Sequence, residues 1–274
     1  MLPSLFVSHG APTLPLTDAP AKRFLEGLGA SIDADFGRPR AIVVVSAHWE
    51  TAAPMVNVVP TNETIYDFFG FPPALYQMKY PAPGSAEVAR RVAELLGAAG
   101  MPTGTDTRRG LDHGAWVPLK LMYPEADIPV VQLSIQTHLG PEHHLRVGRA
   151  LAPLRAEGVL ILASGSFTHD LSEFRTYMNA LDAPEPAWVS GFADWFSAAL
   201  MSGNMKDLLA YRARAPYAVK NHPTDEHLLP IYVALGAAGA EPVARHLHDS
   251  ATFVVLRMDV WEFESKAEVQ RVAA

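Results

Sequence analysis

The chain has 274 residues, 49% of them hydrophobic and 19% charged, which is enough apolar material for a substantial core and excludes a mainly disordered protein. Its formal net charge of -7, with Lys and Arg scattered along the sequence, excludes the concentrated basic face that nucleic acid requires. No cysteine is present, so disulfides and thiolate metal sites are excluded and any metal must be held by imidazole or oxygen.

In chain order, the N-terminus has no basic leader, and residues 4–8 form the first Val/Phe-rich strand candidate. Further strands are expected at 41–47, 54–59, 130–134, 159–164 and 253–258, several of them Val/Ile-rich and bounded by Gly or Pro. The Pro-rich stretch 71–84 cannot continue a helix or a central strand and reads as an extended surface loop of the kind that lines a functional mouth. Helices are expected at 86–99, where Val88, Val92, Leu95 and Leu96 share a face, and at 144–156, 186–200 and 225–235. Strands alternating with helices give an α/β fold: a single domain over residues 1–274, with a central, mainly parallel or mixed sheet flanked by helices. No apolar run approaches the roughly 20 residues that span a bilayer, so a soluble, cytoplasmic protein without a membrane partner is expected. Nothing in the sequence selects an oligomeric state.

Eleven histidines are distributed unevenly. His9 ends the first strand, His48 the second, and His169 follows the strand at 159–164. In an open α/β sheet the ligand crevice lies beyond the carboxyl ends of the strands, which directs these three side chains to one place. His227 falls in the expected first turn of a helix, with Thr224 or Asp225 as its N-cap, and can complete a metal site. His113 also precedes a helix, beside the carboxylate of Asp112, and suits an outer-shell or proton-carrying role. One histidine at a strand end is more often a hydrogen-bonded structural residue than a ligand. Three of them, in a chain without cysteine, argue jointly for a metal. His138, His143, His144, His246 and His248 read as surface residues, and His222 as either a substrate contact or a cap. Gly10, Gly114 and Gly165 mark either close backbone approach or simple turns. No GxGxxG, P-loop or GxSxG pattern opens a helix after a strand.

Ser8-His9-Gly10-Ala11-Pro12, Ser46-Ala47-His48-Trp49, Tyr80-Pro81-Ala82-Pro83-Gly84, Asp112-His113-Gly114-Ala115-Trp116, Thr168-His169-Asp170 and Glu226-His227-Leu228-Leu229-Pro230 together resemble the class III extradiol ring-cleavage dioxygenases. The branch they resemble is that of the 4,5-DOPA dioxygenase extradiol-like proteins, and the likeness runs from about residue 3 to about 258. It implies metal ligands at His9, His48 and His227, a catalytic acid/base at His169 and a second active-site histidine at His113. A third histidine replaces the carboxylate of the usual two-His-one-carboxylate triad. The implied reaction inserts O2 into a small aromatic diol at Fe(II). With substrate absent, His169 is a possible fourth ligand, and Zn(II) would accept four imidazoles. Two other readings remain open: a zinc hydrolase or amidase using His169 or Glu226 as base, and a non-catalytic binding protein. Tyr76, Tyr80 and Trp116 are candidate aromatic contacts to a substrate, and Lys220 or Arg108 candidate partners for a substrate carboxylate.

Overall fold

The computed structural model describes residues 1–177 and 183–272. Its centre is an eight-stranded sheet: β1 (Ser4–Ser8), β2 (Ala41–Glu50), β3 (Met55–Asn57), β4 (Gly104–Asp106), β5 (Val130–Ile135), β6 (Val159–Gly165), β7 (Pro242–His248) and β8 (Val260–Ser265). The spatial order is β4-β3-β5-β2-β6-β1-β8-β7. The four middle strands run parallel, and β3, β8 and β7 each pair antiparallel to a neighbour, so the sheet is mixed with a parallel heart.

The parallel strands are buried on both faces, which is why they read as unbroken apolar runs. Along β2, Ile42 and Val44 point into one core with Leu25 and Leu28 of α1 (Pro20–Phe36) and Trp116 and Leu119 of α3 (His113–Met122). Val43 and Val45 point into the other core with Val88, Val92 and Leu96 of α2 (Ala86–Ala98), Val147 and Leu151 of α4 (Gly140–Leu151) and Val233 of α6 (Leu229–Ala237). On that side, below β1 and β8, Phe6 and Trp261 meet Phe192 and Phe196 of α5 (Ala187–Met201). The period of two thus divides each strand between two cores and leaves its carboxyl end free to build a site.

Several expectations change. Residues 253–258 do not form a sheet strand: Phe253 and Val254 take φ of 52° and 64°, and only Leu256–Arg257 pairs, in a two-stranded ribbon with Ala251–Thr252. That run is apolar because Val255 and Leu256 are buried beside the crevice. The stretch 71–84 is a largely exposed segment whose Phe71 lines the cavity, anchored to the core by buried Leu75, Tyr80 and Ala82 and by the Asn62 amide, which donates to the carbonyls of Ala82, Pro83 and Val130. The helix expected at 225–235 begins at Leu229, so His227 lies in the preceding turn and neither Thr224 nor Asp225 is the N-cap.

His144 is buried, not on the surface. Its Nδ1–H donates to Gly140 O at 2.7 Å and its Nε2 accepts from Gln136 N at 3.2 Å, which keeps the ring neutral and inside. Burial lowers its pKa to about 4. The unfolded chain binds this proton near pH 6.5 and the folded chain does not, so the contribution is complete above pH 6.5 and is lost as pH falls towards 4. Urea unfolding of His144→Gln is expected to depend less steeply on pH between 6.5 and 4.5 than wild type, a difference reaching up to about 3 kcal/mol near pH 4. Equal slopes would show that the ring is protonated in the folded protein. His138 is exposed, while His143, His246 and His248 are half-buried.

Candidate metal centre

Strands β1, β2 and β6 are adjacent and end at one edge, so the sheet delivers His9, His48 and the segment leading to His169 to a common crevice. His9 Nε2 lies 3.1 Å from His48 Nε2, which lies 3.2 Å from His227 Nε2. His113, the first residue of α3, has its ring 4.0 Å from that of His48, and His169 stacks on His227 at 3.5 Å with planes 12° apart. Residues separated by up to 218 positions thus surround one cavity of about 390 Å³, lined further by Phe68, Phe71, Leu171 and Leu256.

Each of the three close imidazoles is held through its other nitrogen. Ser164 Oγ donates to Gly114 O and must therefore accept the Nδ1–H of His9, at 3.0 Å. His227 Nδ1 donates to Glu226 Oε1 at 2.9 Å, and His48 Nδ1 faces Asp67 Oδ2 at 3.5 Å. These partners place the protons on Nδ1 and leave the Nε2 lone pairs facing one another. Burial first, then the imidazoles of His48 and His113, holds His9 well below the ordinary histidine pKa. Burial, followed by His169 and His48, does the same to His227. His48 is lowered to about 4 by burial and His113. Three neutral rings with converging lone pairs repel one another unless a cation lies between them. Metal–nitrogen bonds of about 2.0–2.1 Å place neighbouring ligand atoms about 3.0–3.4 Å apart, the spacing found here. The donor set therefore fits a divalent metal. Two groups of ligand atoms lie within 4.8 Å of one another, His9 with His48 and His113, and His169 with Glu226 and His227. His48 Nε2 thus contacts both His9 and His227, while His113 is the third member of the first group.

A second layer fixes these rings. Ser46 Oγ donates to Asp112 Oδ1 at 2.7 Å and accepts from His48 N at 3.2 Å. Asp112 itself caps α3 by accepting from Ala115 N, and its other oxygen takes Arg109 and Gln132. It is thus Asp67, not the adjacent Asp112, that meets His113: its Oδ1 is 2.9 Å from His113 Nδ1 and accepts from His113 N at 3.0 Å. Desolvation opposes the Asp67 charge, yet the hydrogen bond from His113 holds its pKa below the usual value. Gly114 and Gly165 are required by close approach. A Cβ at Gly114 would lie 2.4 Å from Ser46 Oγ and 2.9 Å from His48 Cδ2, and one at Gly165 2.0 Å from His227 O.

The other candidates lie elsewhere. Tyr80 and Trp116 are buried, bonded to Tyr123 O and Ile65 O, and do not line the cavity. Tyr76 stands behind Phe68, with ring centroids 5.4 Å apart. His222 is buried, donating to Phe167 O at 3.0 Å, and makes a structural contact. Lys220 is paired with Asp170 and Glu173, and Arg108 is likewise no part of the cavity wall. Glu226 does not line this cavity, and its Oε1 accepts from His227 Nδ1. Asp67 and Phe68 carry no signal in the sequence beyond nearness to the Pro-rich stretch, which Phe71 begins, and Ser164 lies at the end of the strand expected at 159–164.

An α/β sheet with a histidine-lined crevice at its strand ends defines a metal-dependent class of protein. The chain matches the family described as the catalytic LigB subunit of aromatic ring-opening dioxygenase over residues 3–256, and it belongs to that family. It is 47% identical over 264 residues to a 4,5-DOPA dioxygenase extradiol of Beta vulgaris, covering 96% of each chain. It is 42% identical over 247 residues to the protein of that name from Escherichia coli (strain K12), covering 88% of each. A solved structure of an uncharacterized protein from Escherichia coli K12 superposes with a TM-score of 0.78 at 35% identity, covering 96% of this chain and 99% of that one. The chain is therefore an aromatic ring-opening dioxygenase, an oxidoreductase of the extradiol kind. Among the described residues no helix is long and apolar enough to cross a membrane.

Proposed function

We propose that His9, His48 and His227 hold one Fe(II) ion at which a catechol-type diol, DOPA or a related compound, is opened by O2, in a cytoplasmic setting. The observation that carries this is the convergence of three Nε2 atoms, each with its Nδ1 facing an oxygen, on a cavity with room for a ring. Bound Fe(II) supplies the redox chemistry that joins dioxygen to the ring. Zn(II) fits the same nitrogens but supplies none, so zinc-loaded protein binds diols without opening them.

The protein groups divide the remaining work. Glu226 and Asp67 stand behind His227 and His48, and these carboxylates offset charge at a centre whose ligands are all neutral. His169 makes no side-chain hydrogen bond among the described residues, and its pKa is lowered to about 4 chiefly by burial. It is therefore unprotonated at neutral pH, ready to accept a phenolic proton and return it as the ring opens. His113, oriented by Asp67, is placed to hydrogen-bond a substrate oxygen. Without substrate, His169 is near enough to His227 to serve as a further ligand.

Protein purified without added metal, then loaded anaerobically with Fe(II), is expected to consume one O2 per catechol and form a yellow ring-opened product. The zinc-loaded form is expected to consume none. No oxygen uptake by the iron form with any member of a broad catechol panel would defeat the proposal.

A further inference from the structure

Beyond its histidines, the cavity is walled by Phe68, Phe71, Leu171, Leu256 and Pro12, and its one other polar side chain is Ser166, whose hydroxyl donates to Thr168 O at 2.7 Å. Among the described residues no Lys or Arg, and no carboxylate, lines it. Nearby cations are already engaged. Lys220 lies in a neighbouring depression, paired with Asp170 at 3.3 Å and Glu173 at 3.0 Å, and its ammonium is 4.6 Å from the Trp188 ring. Arg257 is paired with Asp259 and Glu185, and Arg109 with Asp112. At about 390 Å³ the space exceeds what a bare diol ring fills.

We infer that, within that class of diols, the site binds most tightly those whose ring substituent is uncharged and apolar, and less tightly those carrying a carboxylate, an ammonium or both, DOPA among them. This rests on the dioxygenase reading for the placement of the diol at the imidazoles. The substituent then projects into the Phe68, Phe71, Leu171 and Leu256 wall. A carboxylate or ammonium there gives up water without gaining a counter-ion, whereas an alkyl arm gains by leaving water.

The test compares catechols with arms of similar length: 4-propylcatechol, dihydroxyphenylpropionate, dopamine and DOPA. Two readouts are taken. Calorimetric Kd values with zinc-loaded protein need no turnover, and kcat/KM values come from the iron-loaded form. Binding of 4-propylcatechol is expected to be at least tenfold tighter than that of any charged analogue, and to strengthen by about threefold per methylene from 4-methyl to 4-propyl. Leu171→Arg, at an exposed position of the rim, is expected to narrow the gap for dihydroxyphenylpropionate and widen it for dopamine. Equal affinities, or preference for DOPA over 4-propylcatechol, would overturn the inference while leaving the dioxygenase reading intact. The expected binding order without oxygen uptake from any catechol would do the reverse.

Discussion

Replacing His48 with alanine is expected to remove both the bound metal and the ring-opening activity. His48 Nε2 is the atom common to the two short contacts, 3.1 Å to His9 and 3.2 Å to His227, so its loss leaves two imidazoles without a shared third. Changes to groups that merely support a ligand cost roughly 10- to 100-fold in metal affinity, and loss of a ligand is expected to exceed that, with activity falling by about 10³-fold or more. Metal analysis of the purified variant checks the first effect. Thermal unfolding with and without Fe(II) checks the second: wild type gains about 2.7 kcal/mol when metal is present at 100 times its Kd, and His48→Ala gains almost nothing. Without metal the variant is expected to be no less stable than wild type, because the deletion relieves repulsion among neutral lone pairs. A variant that keeps a full complement of metal would remove His48 from the ligand set.

His169→Gln is expected to behave differently, keeping the metal while kcat falls by about 10²- to 10⁴-fold. The imidazole stacks face to face on His227, with ring centroids 3.5 Å apart, and lines the cavity where a substrate would lie, which suits a proton carrier. Metal content and diol affinity in the zinc form distinguish the two roles. If metal is lost along with activity, His169 is a ligand first and a base second. A pH profile adds a further readout: protonation of His169, whose pKa burial lowers to about 4, contributes to the acid limb of wild-type kcat/KM, and the variant is expected to keep only the part that comes from His48, which is also lowered to about 4.

The parts of this design visible in the sequence are those that depend on local periodicity. The strands β1, β2, β5 and β6 are continuous apolar runs, and their carboxyl ends locate His9, His48 and His169 because parallel strands share one crevice edge. The final edge of the sheet was less legible. β7 carries Arg245, His246 and His248, and β8 carries Glu262 and Glu264, so both look polar, while the more apolar run at 253–258 turns under the cavity instead. Helix α1 leaves little trace in the sequence because Gly27 and Gly29 interrupt its stripe. Yet Gly29 is needed where the helix crosses Met122, since a Cβ would lie 2.1 Å from that carbonyl. Within the site, Asp112 looked like the partner of His113 because the two are adjacent. The helix start turns the Asp112 carboxylate towards Ser46, Arg109 and Gln132, and Asp67 arrives from 46 residues away. Pairings of that length leave no periodic trace.

The position of β1 has a consequence for how the protein is made. His9 precedes both β6 and β8 in the chain, yet its strand lies between them. Until residues 260–265 emerge, one flank of that strand has nothing to pair with, and His227 is itself a late arrival. A site that uses both His9 and His227 is therefore assembled only after the segment carrying His227 has been made, whichever strands form first.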